Sequence, residues 1–211
     1  MKPINKTIRV FAPASSANLG CGFDVMGMAL DGIGDVLRIA ISEGDGLTIR
    51  NTSAAELPED IEKNVITPAV RAFMAAAGKK ACLEIVVEKK IRPGSGIGSS
   101  AASSAAAVFG LNELYGRPFP LPELVPFAME GEKLISGTAH ADNSAPAVMG
   151  GIVLIRGYQP LDMVRLPVPD SFCFSVIHPH IVVSTKAARD VLRKEIPMRE
   201  AVIQWGNVGG L

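Results

Sequence analysis

Between Arg92 and Gly110 the sequence reads RPGSGIGSSAASSAAAVFG, and the chemistry this spacing suits is the holding of an anion. Gly94, Gly96 and Gly98 remove three Cβ atoms from one short turn, so the backbone there can approach a ligand closely. Ser99 and Ser100 add hydroxyls where an alanine-rich, helix-forming stretch begins. A helix start offers unpaired N–H groups and the positive end of the helix dipole, and phosphate is a natural guest for both. The same stretch has a second reading. Ser100, Ser103, Ser104 and Ala107 fall on one helical face, where small side chains let a helix pack closely on a sheet. Two better-known phosphate motifs are absent: no Lys follows Gly98 as a Walker A loop requires. Glu113, near the spacing of a dinucleotide fold's acidic residue, falls inside the expected helix.

A second concentration of polar chemistry is His140, Asp142 and Asn143. His with Asp suits a general base or a metal site, and equally a hydrogen-bonded structural group. Two positions apart, the pair would diverge on a strand and converge in a loop. Asn143 cannot act as a base. Read alone, Asp24, Asn18, Glu132 and Arg189 fit a turn aspartate, an Asx-turn asparagine, a solvated helix-face carboxylate and a helix-surface arginine. Asn64 suits a helix cap, and Cys21 a small buried filler.

Elements must exist to position these groups. The chain has 211 residues, nearly half of them apolar, with a formal net charge of zero. That balance excludes nucleic acid as a main partner, which would demand an excess of Lys and Arg. Cys21, Cys82 and Cys173 form no C-x-x-C, so neither a zinc site nor a disulfide framework is expected. The first residues lack a signal-peptide core, and no apolar run is long enough to span a bilayer. A cytosolic (cytoplasmic) protein with no membrane partner is the expectation.

Alternation predicts a strand at Thr7–Phe11 ended by Pro13, then a polar loop through Asp24, and strands from Gly34, at Gly46–Arg50 and from Ala81. Helices are expected at Val65–Ala77, Ser99–Leu114 and Leu121–Ile135. The run SGTAHADNSAPAVMGG reads as a loop in which Asn143 or Ser144 caps a short helix. GIVLIRG, MVRLPV and FCFSVIHP read as strands, Ser184–Lys194 as a helix, and a last helical stretch begins at Glu200. A soft boundary falls near Pro167–Ser171. The elements beyond it are too few to close a core of their own, so the chain reads as incomplete at its C-terminus.

Three blocks together resemble the GHMP kinases, a superfamily of small-molecule kinases. PGSGIGSSAA at Pro93–Ala102 is similar to its P-x-x-x-G-L-G-S-S-A-A phosphate motif. PASSANLGCGFDVMGMAL at Pro13–Leu30 and GEKLISGTAHADNSAPAVMGG at Gly131–Gly151 resemble blocks of the homoserine kinases within it, and STKAARDVL at Ser184–Leu192 extends the match. Departures exist: Arg92 stands where a Pro is frequent, Cys21 replaces another, and a C-terminal glycine-rich motif and a second substrate arginine are absent.

The resemblance implies an α+β, two-domain fold: residues 1–168 as an ATP-binding domain with a left-handed βαβ unit, and residues 169–211 as the beginning of a ferredoxin-like domain. It implies phosphorylation of the L-homoserine hydroxyl by ATP, on the route to threonine. ATP would lie on Pro93, Gly94, Ser95, Gly96, Ile97, Gly98, Ser99, Ser100, Ala101 and Ala102, with Asn64 near the adenine. Ser100 and Glu132 would hold Mg2+, whose preference for a few oxygen ligands and several waters suits a hydroxyl and a carboxylate. Asp24 would take the substrate ammonium, with Asn18 beside it, and Arg189 the carboxylate. His140 and Asn143 would line the substrate pocket, with Asn143 and Thr185 at the reacting groups. A mevalonate- or sugar-type GHMP kinase and a nucleotide-binding protein without catalysis are the alternatives. A homodimer is the partner the family implies.

Overall fold

Two long strands organise the molecule. β1 (Lys6–Ala17) and β2 (Met26–Ser42) pair antiparallel from Lys6 opposite Ile41 to Ala17 opposite Gly27. The strand expected to stop at Pro13 runs through it. The ladder shifts register between Pro13 and Ala14, and such an irregularity accommodates a residue with no N–H. In this computed structural model residues 6–54, 57–58, 60–137, 140–177 and 185–210 are described, without the side chains of residues 136 and 185–187.

β2 shares its remaining hydrogen-bonding groups between two partners. Val36–Ser42 pairs with β4 (Cys82–Glu88), and Met26–Met28 with β5 (Ile152–Tyr158), both antiparallel. β3 (Gly46–Asn51) lies parallel to β4, and β6 (Leu161–Leu166) antiparallel to β5. The result is a mixed six-stranded sheet of order β3-β4-β2-β5-β6, with β1 on β2. Parallel neighbours need a crossover. Between β3 and β4 it is a 3-10 turn at Ile61–Lys63 followed by α1 (Ile66–Ala76).

α2 (Ser99–Leu114) packs on β1 and β2, and α1, α3 (Leu121–Ser136) and α4 (Ala141–Met149) pack around it. One apolar core fills the space between sheet and helices, with Leu37, Ile39, Phe73, Ile85, Leu111 and Leu124 fully buried. The fold is α+β. Among the described residues no helix is long and apolar enough to cross a membrane.

Four further elements differ from expectation. α4 begins at Ala141 with His140 at its N-cap, so Asn143 and Ser144 lie inside the helix and do not cap it. Pro146 sits within α4 and leaves the carbonyl of Asp142, four residues earlier, without its helical donor. That carbonyl lies against β2 at Gly27, where a Cβ would stand 1.6 Å from it. Phe172–Ile177, expected in a strand, joins no ladder: alternation needs a neighbouring strand, and none is beside it among the described residues. Residues 178–179, the end of that expected strand, lie outside the described residues. α5 (Thr185–Asp190) is shorter than expected, and Ser184 lies outside the described residues. α6 (Met198–Gly209) begins two residues before Glu200. Exposed apolar side chains gather here: Ile177, Val191, Met198 and Trp205 are all exposed.

Candidate active site

The glycine turn joins the end of β4 to α2. Gly94, Gly96 and Gly98 all take positive φ, at 77°, 76° and 66°, where a Cβ is disfavoured. A Cβ at Gly94 or Gly96 would meet nothing within 4 Å, whereas one at Gly98 would stand 2.0 Å from Ser15 Oγ. The turn is therefore open on one side and closed against β1 at its end. Ser15 N–H donates to Ile97 O at 3.2 Å. Ser99 Oγ donates to Ile91 O at 3.1 Å, so this hydroxyl holds the turn rather than facing out. Ala101 and Ala102 are fully buried and offer a ligand only backbone. Ser95 Oγ is buried and has no partner among the described residues. An orphaned hydroxyl beside an open backbone cradle fits a phosphate oxygen.

Beneath the turn lies a device that reading the sequence missed. Asp35 on β2 and Lys89 just past β4 form an ion pair with side chains 0% and 2% exposed. Asp35 Oδ1 accepts the N–H groups of Lys90 and Ile91, each at 2.9 Å. Lys89 Nζ also donates to Ser103 Oγ at 2.8 Å and to Ser99 O at 2.5 Å. Burial pushes the Lys89 ammonium below the usual lysine range, and Asp35 opposes that. A signal was available. Leu83, Ile85, Val87 and Lys89 alternate onto one buried face, and a lysine on such a face needs a carboxylate.

Ser100 Oγ in the first turn of α2 donates to Glu132 Oε1 on α3 at 2.5 Å. Burial raises the Glu132 carboxyl above its ordinary range, against the hydrogen bond from Ser100. Asp142 raises it further, while His140 and Lys89 lower it. Among the described residues no three His, Cys, Asp or Glu side chains gather as a resident metal would demand. A hydroxyl and a carboxylate side by side still fit Mg2+, which takes one or two protein oxygens alongside phosphate.

A second group of polar side chains is built around the loop from Asn18 to Asp24. Both residues have φ of 59°, a conformation Asn and Asp tolerate better than most. Asn18 Oδ1 accepts the Asp24 N–H at 2.8 Å, so its carbonyl end closes the loop. Asp24 receives both forks of Arg189, at 2.9 Å and 2.5 Å, and His140 Nδ1 stands 3.9 Å from Asp24 Oδ1. The hydrogen bonds to Asp24 push the Arg189 guanidinium above its ordinary value. Arg189 also lies 5.5 Å from the centre of the Phe23 ring. Tyr158 Oη, unremarked in the sequence, accepts the Ala141 N–H and donates to Asp24 O, both at 3.3 Å. It thereby ties this loop to the start of α4. Cys21 O accepts the side-chain amide of Gln204 on α6.

Asn143 lies on α4, whose N-cap His140 stands beside Asp24, and reaches the glycine-turn side through Ser15. Its Oδ1 accepts Ser15 Oγ–H at 2.9 Å and would be 3.0 Å from a Cβ on Gly98. The structure thus joins the glycine turn and the Ser100–Glu132 pair to a cluster of Asp24, His140, Asn143 and Arg189. Asn64 stands apart from that cluster. It is 4% exposed, and its Oδ1 accepts the Ile66 N–H at 3.0 Å, the cap reading. Thr185 opens α5, but its side chain lies outside those described. A cavity of about 260 Å3, lined mostly by apolar residues, lies between β1, α2 and α4, and none of the glycine-turn residues lines it.

Residues 64–151 match the family described as the GHMP kinases N terminal domain. A homoserine kinase of Chlorobium phaeobacteroides is 41% identical over 218 residues, covering 98% of this chain and 68% of that protein. The crystal structure of homoserine kinase from Cytophaga hutchinsonii superposes with a TM-score of 0.89 at 45% identity, covering 100% of this chain and 68% of that one. A mevalonate kinase of L. major, in complex with R-mevalonate, gives a TM-score of 0.60 at 23% identity over 77% of this chain and 53% of its own. That likeness speaks to the fold alone.

Proposed function

The chain belongs to the homoserine kinase family, and from that premise we propose that it transfers the γ-phosphoryl group of ATP to the hydroxyl of L-homoserine, giving O-phospho-L-homoserine and ADP. The observation that carries the acceptor is the Asp24–Arg189 pair beside His140. A carboxylate and a guanidinium fork are what the ammonium and carboxylate of an amino acid need. The product leads toward threonine, and the cytoplasm is the compartment that supplies both substrates. A homodimer is the assembly we adopt from the family.

ATP lies with its phosphates along the backbone of Pro93 to Ala102, in which Ser95 supplies a free hydroxyl. Asn64 is assigned to the adenine end, where its amide nitrogen is the group left to donate. Ser100 and Glu132 would hold Mg2+, which neutralises phosphate charge when bound. Asp24 and Arg189 part to take the two charges of the substrate, with Asn18 and His140 beside them. Asn143 and Thr185 face the reacting groups. The homoserine oxygen forms its bond to the γ-phosphorus as the bridge to the β-phosphate breaks, and ADP leaves with that electron pair. The hydroxyl proton passes to the transferred phosphoryl group. No side-chain base is required, because phosphoryl transfer runs through a loose transition state governed by position and charge.

Residues 1–168 form the ATP-binding domain in this reading, and 169–211 the start of a second one. In support, the buried core ends at Ile155, and α6 contributes no buried residue. The test is a panel of alcohols with ATP and Mg2+, read by product mass. Homoserine is expected to turn over; turnover of mevalonate or a sugar without homoserine would overturn the assignment.

A further inference from the structure

We propose that Ser15 is a positioning residue that fixes which end of the Asn143 amide faces the reacting groups; this rests on the reading above that Asn143 faces them. Ser15 is 0% exposed on β1. Its two polar handles do different things. The backbone N–H holds Ile97 O at 3.2 Å, supporting the glycine turn. The hydroxyl reaches Asn143 Oδ1 at 2.9 Å. Gly98 keeps this arrangement possible, because a Cβ there would stand 2.0 Å from Ser15 Oγ.

An asparagine amide has an acceptor end and a donor end. With Oδ1 engaged by a buried hydroxyl, the NH2 end is left to the ligand, and among the described residues it has no partner. Phosphoryl transfer builds negative charge on oxygen. A donor aimed there stabilises it and a carbonyl oxygen repels it. Without the Ser15 hydroxyl the amide is free to turn over and present the wrong end. Ser15 therefore acts on the chemical step through Asn143, while its backbone does a separate, structural task.

Ser15→Ala separates the two, since it removes the hydroxyl and leaves the N–H to Ile97 in place. The loss of one such hydrogen bond predicts a fall in kcat of roughly three- to tenfold, with the KM for ATP unchanged. In a cycle with Asn143→Ala, the double variant is expected to be no slower than Asn143→Ala alone. Multiplicative losses would overturn the proposal, as would a wild-type kcat in Ser15→Ala. A readout independent of turnover is the side-chain amide pair of Asn143 in nuclear magnetic resonance, identified by its loss in Asn143→Ala. Ser15→Ala should shift that pair, and an unmoved pair overturns the proposal whatever the kinetics. Should the wild-type protein fail to phosphorylate homoserine, the functional assignment falls, and the resonance still decides the Ser15–Asn143 link.

Discussion

Asp24 and Arg189 stand 165 positions apart in the chain and satisfy one another through two hydrogen bonds, at 2.9 Å and 2.5 Å. Each is the natural partner of one end of a zwitterion, so in the proposed site the free protein holds the two substrate-binding groups closed on each other. The side chains are 25% and 37% exposed, and water is at hand when they part. A ligand with only one of the two charges would separate the pair and leave one member without a counter-charge. A ligand with both exchanges one pair for two.

Asp24→Asn is expected to raise the KM for homoserine by roughly 10- to 100-fold, the worth of a charge-assisted hydrogen bond, and to leave the KM for ATP alone. Stability should change by less than about 1 kcal/mol, because an ion pair with water at hand contributes little. Steady-state kinetics in each substrate, with a thermal melt, checks both.

Glu132→Gln keeps a partner for Ser100 and removes the charge. The expected outcome is a fall in kcat of about 10²–10³-fold, typical for the loss of one group that stabilises transition-state charge. The Mg2+ concentration giving half-maximal rate should also rise. Rate against Mg2+ concentration tests this.

Gly96→Ala and Gly98→Ala share a positive φ and differ in surroundings. The first should lose about 1–2 kcal/mol from backbone strain alone. The second adds overpacking against Ser15, about 1–3 kcal/mol more. Urea denaturation of the two variants measures the difference; equal losses would mean that Ser15 gives way freely.

Asp142 supplies a pH dependence. Burial lifts its carboxyl above the ordinary aspartate value and the Asp24 charge adds to this, opposed by His140, the Asn143 N–H and Arg189. A carboxyl raised in the folded state holds its proton longer there than in the unfolded chain. Its ionisation therefore lowers stability as pH climbs from the unfolded value through the raised folded one. Asp142→Asn should melt higher than wild type at neutral pH, by roughly 2–4 °C for each kcal/mol recovered. The gap should close as pH falls below the unfolded value. Melts across pH 3 to 8 test the sign.

Asn143→Asp supplies a carboxylate where the amide stands. Since transfer needs no side-chain base, kcat should not rise above wild type. A clear increase would show that base catalysis had been limiting.

α2 was legible to the residue, from Ser99 to Leu114, because a glycine run and an alanine run mark its start unambiguously. α4 was not. Its Asp, Asn, Ser and Pro content argues for a loop, and what makes it helical is tertiary. Ala141, Ala145 and Val148 bury one face, and Gly27 makes room for the carbonyl that Pro146 leaves without a donor. The site divides in the same way. Residues in contiguous motifs were visible, as were Ser100 and Glu132 once a family pattern linked them. Ser15, Tyr158 and the Asp35–Lys89 pair act through contacts spanning 54 to 134 positions. Local pattern carries no such information, although alternation along β4 marks Lys89 as facing inward.

If the glycine turn holds ATP as proposed, the Asp35–Lys89 pair has a consequence for the nucleotide. It fastens the entrance of the glycine turn and the first turn of α2 to the same buried carboxylate, so the turn behaves as a mould cast during folding. The disorder given up to shape it belongs to the folding equilibrium and does not subtract from the nucleotide's affinity. Encounter then depends on diffusion and charge, with no wait for a segment to take form.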